Sequence, residues 1–305
     1  MGLKWIAKAF IQKGISYFPN SEQLNYIFQT KVTRKLPTSR ILLVEKAQIA
    51  INHFNSFKRH YNYTDVSTLK FFEFGAGWNM CVPLTYYMLG IDHQTICDIE
   101  AHTRYNLIND STNKIEDSLE EIQAAAGFPL RHLDRQPITQ FSEMLTRYGI
   151  DYKAPLDARK TGLPENYFDF ISNTLTLQSI PKNDIISILK ECYRILKPGG
   201  IISCFVDLND NYCYIDKSIS RYNFLKFTDK EWQKYNSPVH YQNRLRYPDY
   251  MDVFAETRFN VVEQKINRPS AKLLETLSKV KVNEKFKKYS PEDLGVTSFW
   301  IALSK

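Results

Sequence analysis

Two glycines after a short apolar run are the clearest candidates for ligand-binding chemistry in this sequence. Residues 71–74 read as a buried strand containing one acid, after which the chain turns at Gly75 and Gly77. Glycine has no Cβ, so both positions let the backbone turn sharply and approach a ligand closely. A dinucleotide-binding turn has a small residue three positions after its second glycine, where this chain has Met80, and Trp78 adds further bulk. The turn therefore favours a nucleoside ligand smaller than a dinucleotide.

Polar side chains also stand where other predicted strands end. Asp98 ends the second predicted strand, with Glu100 two positions later, and Ser172 and Asn173 end the fourth. Open parallel sheets bind ligands outside the C-terminal ends of their strands. These side chains are therefore candidates for the same site as the glycine turn.

The elements that must position these residues follow an alternating order. From residue 69 onward, short apolar runs alternate with helical patterns, which predicts a parallel sheet with crossover helices. The expected strands are 69–74, 95–98, one ending near Asp157, 168–173, 201–206, 259–264 and 296–303. The expected helices lie near 82–89, 101–126, 181–197, 250–254 and 270–288. This order is typical of an α/β fold.

Residues 1–66 predict a helical N-terminal extension that begins with a basic amphipathic segment. Such a segment has two uses: it docks on the core with its lysines in solvent, or it contacts a membrane surface peripherally. The residues that alternate are Leu3, Ile6, Phe10 and Ile11 on the apolar side and Lys4, Lys8 and Lys13 on the basic side.

Composition limits the class of protein. The chain has 305 residues with 43% hydrophobic content, enough to bury a full core. Its net charge of +7 is modest and scattered, so no nucleic-acid partner is expected. The 5 cysteines form no Cys-x-x-Cys pair and read as reduced core thiols, and no metal site is expected. The sequence has no apolar run long enough to span a membrane and no signal-peptide pattern, so a cytoplasmic protein is expected. Membrane association through the first helix is the further expectation.

Five motifs in order resemble the Rossmann-like (class I) S-adenosylmethionine-dependent methyltransferases, type 11-like. They are residues 73–77, Asp98, residues 157–158, residues 163–171 and residues 196–200. The resemblance covers about 67–210. It implies an α/β fold with a doubly wound, seven-stranded, mostly parallel sheet, an antiparallel last strand and S-adenosyl-L-methionine as cofactor. The methyltransferase domain would span 67–305.

An insertion after the fifth strand, residues 208–246, is dense in Tyr, Asp, Asn and Arg. It resembles a branch of the same family associated with bacterial surface-polysaccharide synthesis. The resemblance implies that this insertion binds the acceptor, a sugar hydroxyl on a glycan or its nucleotide- or lipid-linked precursor.

The resemblance implies roles near the cofactor for the residues of the first motifs. Gly75 and Gly77 would bring backbone amides to the methionine part, with Glu73 near its ammonium group. Asp98 would accept hydrogen bonds from both ribose hydroxyls, with Glu100 as the substitute. The structural alternatives are a plain strand-to-helix turn for the glycines and a helix cap for the acids.

The later motifs imply the remaining cofactor contacts. Asp157 and Ala158 would contact adenine, and Ser172 and Asn173 would face the methyl group. Trp78 belongs to the same predicted set. The structural alternative for Asp157 is a turn-forming role.

The base and the acceptor wall are the least determined parts of the predicted site. Relatives often carry Glu-His and Asp-His pairs where this chain has residues 178–179 and 210–211. The remaining candidates for the base are Asp207, Asp210 and His240. The predicted acceptor contacts are Tyr212, Arg221, Tyr222, Arg244 and Arg246, with Tyr214 and Trp232 as further wall residues. The alternative for this set is the packing of a lid.

These observations lead to one expected function and two alternatives. The expectation is O-methylation of a sugar in a surface glycan or its precursor by an S-adenosylmethionine-dependent methyltransferase. The first alternative is a methyltransferase for a small-molecule acceptor. The second is a catalytically silent relative that binds the cofactor, or has lost it, and serves as a partner in a glycan-assembly complex.

Overall fold

The computed structural model describes residues 3–305, so residues 1–2 of the predicted extension lie outside the described residues. Residues 3–305 contain one seven-stranded sheet. The strand order is β3-β2-β1-β4-β5-β7-β6, and β7 runs antiparallel to both of its neighbours. The strands are β1 (Lys70–Phe74), β2 (His93–Cys97), β3 (Ile150–Lys153), β4 (Phe168–Thr174), β5 (Leu196–Asp207), β6 (Asn260–Asn267) and β7 (Ser298–Ser304). This topology is the doubly wound, mostly parallel sheet with an antiparallel last strand that the resemblance implies.

Helices cover both faces of the sheet. The helices are α1 (Leu3–Ile15), α2 (Ser21–Ile27), α3 (Arg40–His60), α4 (Cys81–Met88), α5 (Tyr105–Glu116), α6 (Leu119–Ala126), α7 (Ser142–Tyr148), α8 (Lys182–Ile195), α9 (Asp229–Trp232), α10 (Tyr247–Ala255), α11 (Ala271–Ser278) and α12 (Pro291–Leu294). No helix within residues 3–305 is long and apolar enough to cross a membrane.

The alternation of side chains along the central strands feeds two separate cores. In β1, Phe71 packs with α3 to α7 on one face, whereas Phe72 and Phe74 pack with α8 and α10 on the other. Successive side chains of a strand point to opposite faces, and a strand buried on both faces is therefore apolar throughout. Helix α8 meets this surface with the stripe Ile185, Ile188, Leu189, Cys192 and Ile195.

A third core joins the N-terminal helix to the insertion and to the C-terminal segment. Trp5 packs against Tyr212 and Tyr235, with ring centroids 5.5 and 4.8 Å apart. The same cluster includes Trp232 and Phe286. Residues 3–15 and 208–246, which are remote in sequence, therefore form one packed unit.

The face of α1 that docks differs from the one that the spacing predicts. Leu3, Phe10 and Ile11 are exposed, whereas Lys8 and Ala9 are buried with Trp5 and Gln12. The expectation of solvated lysines is wrong for Lys8. The insertion is rich in aromatic residues, and Trp5 provides the larger apolar surface to pack against them.

Several element bounds also differ from the predicted ones. The predicted helix near 270–288 ends at Ser278, because the chain turns into the third core through Val280 and because the N–H of Asn283 donates to the carbonyl of Leu225, 2.9 Å away. The predicted helix over 101–126 is broken into α5 and α6. Strand β4 continues to Thr174, one residue beyond its predicted end.

Candidate functional site

A cleft of about 690 Å³ opens at the C-terminal ends of β1, β2 and β4. It lies where the strand order reverses between β1 and β4, which is the usual ligand site of doubly wound sheets. Its volume is within the range of about 300–1,000 Å³ that small-molecule sites occupy. Of the nine predicted cofactor residues, six line this cleft: Gly75, Gly77, Trp78, Asp98, Asp157 and Ala158.

The glycine turn is tied to its neighbouring strands. Gly75 and Gly77 have φ of +82° and +68°, in the left-handed region that favours glycine. The N–H of Gly75 donates to the carbonyl of Cys97 at 2.9 Å. A Cβ at Gly75 would collide with the side chain of Thr176, whereas a Cβ at Gly77 would meet no atom within 4 Å. The first glycine is needed for packing, and the second leaves space in the cleft.

Asp98 is held under the turn. Its carboxylate accepts a hydrogen bond of 3.4 Å from the N–H of Gly77. Burial raises the pKa of Asp98, and the neighbouring His102 opposes that rise. His102 in turn lies 3.0 Å from Glu22 of α2. Burial lowers the pKa of His102, but Glu22 and then Asp98 raise it more, so the net shift is upward.

The loop with Asp157 and Ala158 forms another wall of the cleft. Arg159 binds both carboxylate oxygens of Asp157, with Nη2 2.7 Å from Oδ2, and also reaches Asp184 at 2.9 Å. This contact with Arg159 lowers the pKa of Asp157. Asp157 also accepts a hydrogen bond from the backbone N–H of Arg159, which is the turn-forming role that is the structural alternative for this residue. An adenine amine would have to share this carboxylate with the guanidinium.

Glu73 lies behind the glycine turn. It lines a smaller cavity of about 180 Å³ together with Lys46 and Thr174, and Gly75 and Gly77 border both this cavity and the cleft. Its Oε2 is shielded from solvent and has no hydrogen-bond partner among residues 3–305. Burial raises the pKa of Glu73 to about 8.

Ser172 and Asn173 do not border the cleft. Both are buried inside β4, and the side-chain amide of Asn173 donates to the carbonyl of Phe74 at 3.0 Å. Because β4 continues to Thr174, the cleft is lined instead by Leu175 and Thr176. The prediction that Ser172 and Asn173 face the methyl group therefore disagrees with their position.

Only one of the three candidate bases lines the cleft. Asp207 accepts hydrogen bonds from Asn209 and Tyr214 within the insertion. Asp210 is fully buried and accepts from the N–H of Tyr212 at 2.8 Å, and burial raises its pKa to about 6. His240 does line the cleft. The carboxylates of Asp207 and Asp210 do not line the cleft and instead hold the insertion together, which disagrees with the prediction that either is the base.

The predicted acceptor residues are mostly interior. Arg246 is 0% exposed and donates to the carbonyls of Leu208, Leu294 and Val296, and none of its nitrogens reaches the cleft. Arg244 is likewise buried, with donor contacts to the carbonyls of Phe224 and Phe227. Apart from Nε of Arg246, which is shielded and has no partner among the described residues, these donors are already used, which corresponds to the packing alternative.

The remaining acceptor candidates also lie mostly in the interior of the insertion. The hydroxyl of Tyr212 donates to the carbonyl of Tyr235 at 2.7 Å, and that of Tyr222 to Gly295 at 2.8 Å. Both rings are buried, so they too pack the insertion. Arg221 is half-buried and does not line the cleft. The predicted acceptor wall is therefore a packed unit over most of its length.

Helix α2 supplies a wall that sequence reasoning missed. The cleft-lining residues of this helix and its flanks are Ser16, Ser21, Glu22, Asn25 and Gln29. Tyr26 stacks on Trp78 with ring centroids 5.7 Å apart, which fixes α2 over the turn. Pro238, Val239 and Tyr241 join His240 on the lining. Small polar residues on a short helix carry no signal of ligand contact, since the same composition is usual on a solvated face.

Part of the chain matches a known family. Residues 133–204, about a quarter of the chain, match the family described as "Methyltransferase domain". The segment includes the loop with Asp157 and Ala158, strand β4, helix α8 and most of β5. The match supports the resemblance to class I methyltransferases for this segment.

Curated relatives match over shorter stretches. A demethylmenaquinone methyltransferase of Listeria monocytogenes is 38% identical over 48 residues, which are 16% of this chain and 19% of the relative. The enzyme of that name from Staphylococcus epidermidis is 35% identical over 72 residues, 21% of this chain and 29% of the relative. The chain thus spans less than a third of the length of these relatives.

Two solved methyltransferase structures align with most of the chain at low identity. A geranyl diphosphate C-methyltransferase from Streptomyces coelicolor A3(2) has a TM-score of 0.47 at 12% identity, covering 85% of this chain and 76% of that one. An S-adenosylmethionine-dependent methyltransferase from Leishmania major has a TM-score of 0.46 at 12% identity, covering 98% and 83%. The assignment of the fold is therefore based on the strand order described above and not on these alignments.

Proposed function

We propose that this protein is an S-adenosylmethionine-dependent methyltransferase whose cofactor binds in the cleft at the strand ends. The observation that carries the proposal is the convergence of three predicted elements on one cleft: the turn at Gly75 and Gly77, Asp98, and the loop with Asp157. They meet where the strand order reverses. The methyltransferase-domain match over 133–204 supports the same chemistry.

The residues of the cleft fit a cationic nucleoside cofactor. S-adenosylmethionine carries a sulfonium and an ammonium group, and carboxylates attract positive charge. Asp98 has free acceptor capacity for ribose hydroxyls, and the partnerless Oε2 of Glu73 lies behind the turn. The carboxylates that line the cleft are Glu22, Asp98, Glu100, Asp157 and Asp184.

The chemistry that the cofactor supplies is an activated methyl group. An acceptor oxygen forms a bond to the methyl carbon while the sulfur keeps the electron pair of the broken bond, so the reactants must be aligned. A hydroxyl acceptor also loses its proton to a base. We assign this role to His240, because it lines the cleft and its Nε2 has no partner among the described residues. Burial, and then Lys8 and Lys35, lower the pKa of His240 to about 3, so the free imidazole is neutral but a weak proton acceptor, and the role requires a bound acceptor that raises its basicity.

The first test is calorimetric titration with S-adenosylmethionine and S-adenosylhomocysteine. We expect Asp98→Ala to weaken binding by about 100-fold, since two hydrogen bonds to a charged group are worth about 3 kcal/mol together. Asp157→Ala should cost about tenfold, because Arg159 already engages that carboxylate. Asp117→Ala, at a surface pair with Arg135, is the matched control and should bind like the wild type. No binding by the wild type would rule out the proposal.

For the acceptor we propose a sugar hydroxyl in a surface glycan or its precursor. The support is the resemblance of residues 208–246 to the polysaccharide branch, together with the presence of Val239, His240 and Tyr241 from that insertion in the cleft lining. The test is release of S-adenosylhomocysteine with nucleotide-linked and lipid-linked sugars, compared with small hydroxylated molecules. Turnover with the small molecules alone would replace the sugar with the alternative acceptor class.

A silent cofactor-binding protein is the second candidate function. It is favoured by Ser179 and Asn211, which stand where relatives often have histidine, and by the structural use of Asp207 and Asp210. Binding of the cofactor without turnover on any acceptor tested would support this candidate.

We also propose peripheral membrane contact through the N-terminal helix. Leu3, Phe10 and Ile11 are exposed on α1, and Tyr17 and Phe18 are exposed just after it. Exposed apolar side chains beside lysines suit an anionic membrane surface. Cosedimentation with vesicles of phosphatidylglycerol and phosphatidylcholine tests this contact, and a Phe10→Ser and Ile11→Ser double variant should remain in the supernatant.

A further inference from the structure

Polar side chains are buried between α1, α2 and the turn Pro238–His240. Lys8 is 5% exposed, and Gln12, one helical turn later on the same face of α1, is 0% exposed. The hydroxyl of Ser237 donates to the carbonyl of Gln12 at 2.9 Å, which fixes the turn against the helix. The ring of His240 lies 5.4 Å from that of Tyr212, in the same packed unit.

These buried groups lack the partners that such groups normally have. No carboxylate in the described part of the chain lies within ion-pair distance of Lys8, which is unusual for a buried lysine. The side-chain oxygen of Gln12 and Nε2 of His240 are shielded from solvent and also lack a hydrogen-bond partner within residues 3–305. An unpaired buried charge and unsatisfied polar atoms destabilise a fold, so their clustering indicates a site that a ligand completes.

The cluster adjoins the cleft. The side-chain amide of Gln12 donates to Oδ1 of Asn25 at 3.4 Å, and both Asn25 and His240 line the cleft. Behind this wall of the cleft, outside its lining residues, stand Lys8 and Gln12. The first of these offers an ammonium donor and the second an acceptor oxygen.

The lysines near this buried cluster make its surroundings positively charged. Burial, and then the neighbouring Lys35, lower the pKa of Lys8 to about 7. The side chain of Lys35 is exposed, and its backbone N–H donates to the carbonyl of the cleft-lining Gln29 at 2.9 Å. Desolvation, and then the neighbouring Lys217, lower the pKa of Lys35. The positive charges of these lysines repel one another, whereas a dianion bound between them would relieve the repulsion. The acids of the cleft belong to α2, to the strand-end loops and to the first turn of α8, whereas Lys8 and Lys35 lie outside its lining.

We propose that Lys8, Gln12 and His240, with Lys35 as the neighbouring positive charge, form the subsite for a phosphorylated acceptor, in which the lysines bind a phosphate or diphosphate group. This inference rests on the proposed methyl transfer, since it names the class of its acceptor. Two ammonium groups without a countercharge match a phosphoryl dianion, and the free oxygen of Gln12 matches a hydroxyl of the group attached to it.

The subsite links acceptor binding to the proposed base. Lys8 and Lys35 disfavour the imidazolium form of His240 in the free protein. An anion bound between them offsets their charge and makes His240 a better proton acceptor. The base would then be strengthened by the substrate whose proton it takes.

The experiment is titration of the full chain with inorganic pyrophosphate in the presence of saturating S-adenosylhomocysteine, at constant ionic strength. Lys8→Met should weaken pyrophosphate binding at least tenfold. The same variant should have a higher Tm than the wild type without pyrophosphate, because an unpaired buried charge is removed. Lys272→Met, on the exposed side of α11, is the control and should change neither quantity.

A second variant keeps the test decisive if Lys8→Met fails to fold. Lys35 is exposed, so Lys35→Met should fold and should weaken pyrophosphate binding several-fold. Wild-type binding of S-adenosylhomocysteine without pyrophosphate binding would overturn the subsite and leave the methyltransferase proposal intact. Equal pyrophosphate affinity in the wild type and both lysine variants would also overturn it. Absence of S-adenosylhomocysteine binding by the wild type is a separate result, which would contradict the proposed methyl transfer.

Discussion

Glu73 is a carboxyl group in a position that disfavours its charge. Burial raises its pKa to about 8 from the ordinary 4.5. A group whose pKa is raised on folding stabilises the protein fully below its unfolded pKa, and that contribution is lost as the pH rises to the folded value. The stability due to Glu73 should therefore be present below about pH 4.5 and lost by about pH 8.

We predict that Glu73→Gln removes this dependence. Relative to the variant, the wild type should lose stability between pH 5 and pH 8, so the Tm of the variant should exceed that of the wild type by roughly 2 °C or more at pH 8. Thermal unfolding across this pH range measures the difference. Glu165→Gln, on an exposed loop, is the matched control and should follow the wild-type curve. A constant difference between Glu73→Gln and wild type at all pH values would contradict the assigned pKa.

Gly75 and Gly77 should respond differently to the same substitution. Gly75→Ala combines a left-handed φ with a collision against Thr176, so it should destabilise the protein by more than about 2 kcal/mol. Gly77→Ala has room for its Cβ and should cost about 1 kcal/mol, but the added methyl reduces the cofactor space. Denaturant unfolding and cofactor titration of both variants separate the two effects. Equal losses of stability would contradict this division of roles.

At the scale of elements, the insertion is a packed structure with an arginine at its centre. Arg246 donates to three carbonyls from residues 208, 294 and 296, which joins the start of the insertion to the C-terminal segment. We predict that Arg246→Met lowers the stability by about 3 kcal/mol, because the carbonyls lose their donors. Arg221→Met removes a guanidinium with a single 3.4 Å contact, to Asn209, and should cost less than about 1 kcal/mol. Chemical denaturation of both variants tests the contrast, which equal destabilisation would refute.

Helix α1 shows why an apolar stripe does not fix the docked face. Periodicity marks Leu3, Phe10 and Ile11, but packing selects the neighbouring face with Trp5 and Ala9. The choice depends on the aromatic surface of residues 208–246, which lies more than two hundred positions away. A local pattern contains no information about such a partner.

At the scale of the whole molecule, the cofactor should stabilise the fold by mass action. A ligand at about 100 times its Kd adds about 2.7 kcal/mol to the stability of the state that binds it. We therefore expect S-adenosylhomocysteine at that concentration to raise the Tm of the wild type by about 4 °C. At the same ligand concentration Asp98→Ala should show almost no shift, and thermal unfolding with and without ligand measures both. A shift of equal size in both proteins would place the ligand away from Asp98.

The order of strands and helices could be predicted from the sequence because it follows from local patterns. Apolar runs, helical periodicity and the turns at residues 75–77 and 198–200 depend on neighbours within a few positions. Six of the predicted cofactor residues also line the cleft, since strand ends in a doubly wound sheet meet at one edge. The alternating order of strands and helices is thus a property that the sequence alone determines, whereas the antiparallel last strand is implied by the resemblance to class I methyltransferases.

The tertiary structure alone decided which polar residues face the cleft. Arg246 and His240 belong to the same aromatic insertion, yet one is a buried structural donor and the other lines the cleft. Lys8 reads as a solvated lysine in its helix and becomes buried only when α1 meets the turn Pro238–His240. Residue type and spacing determine what a side chain can do. Its partners are set by contacts between segments far apart in the chain, because burial and charge are properties of the packed whole.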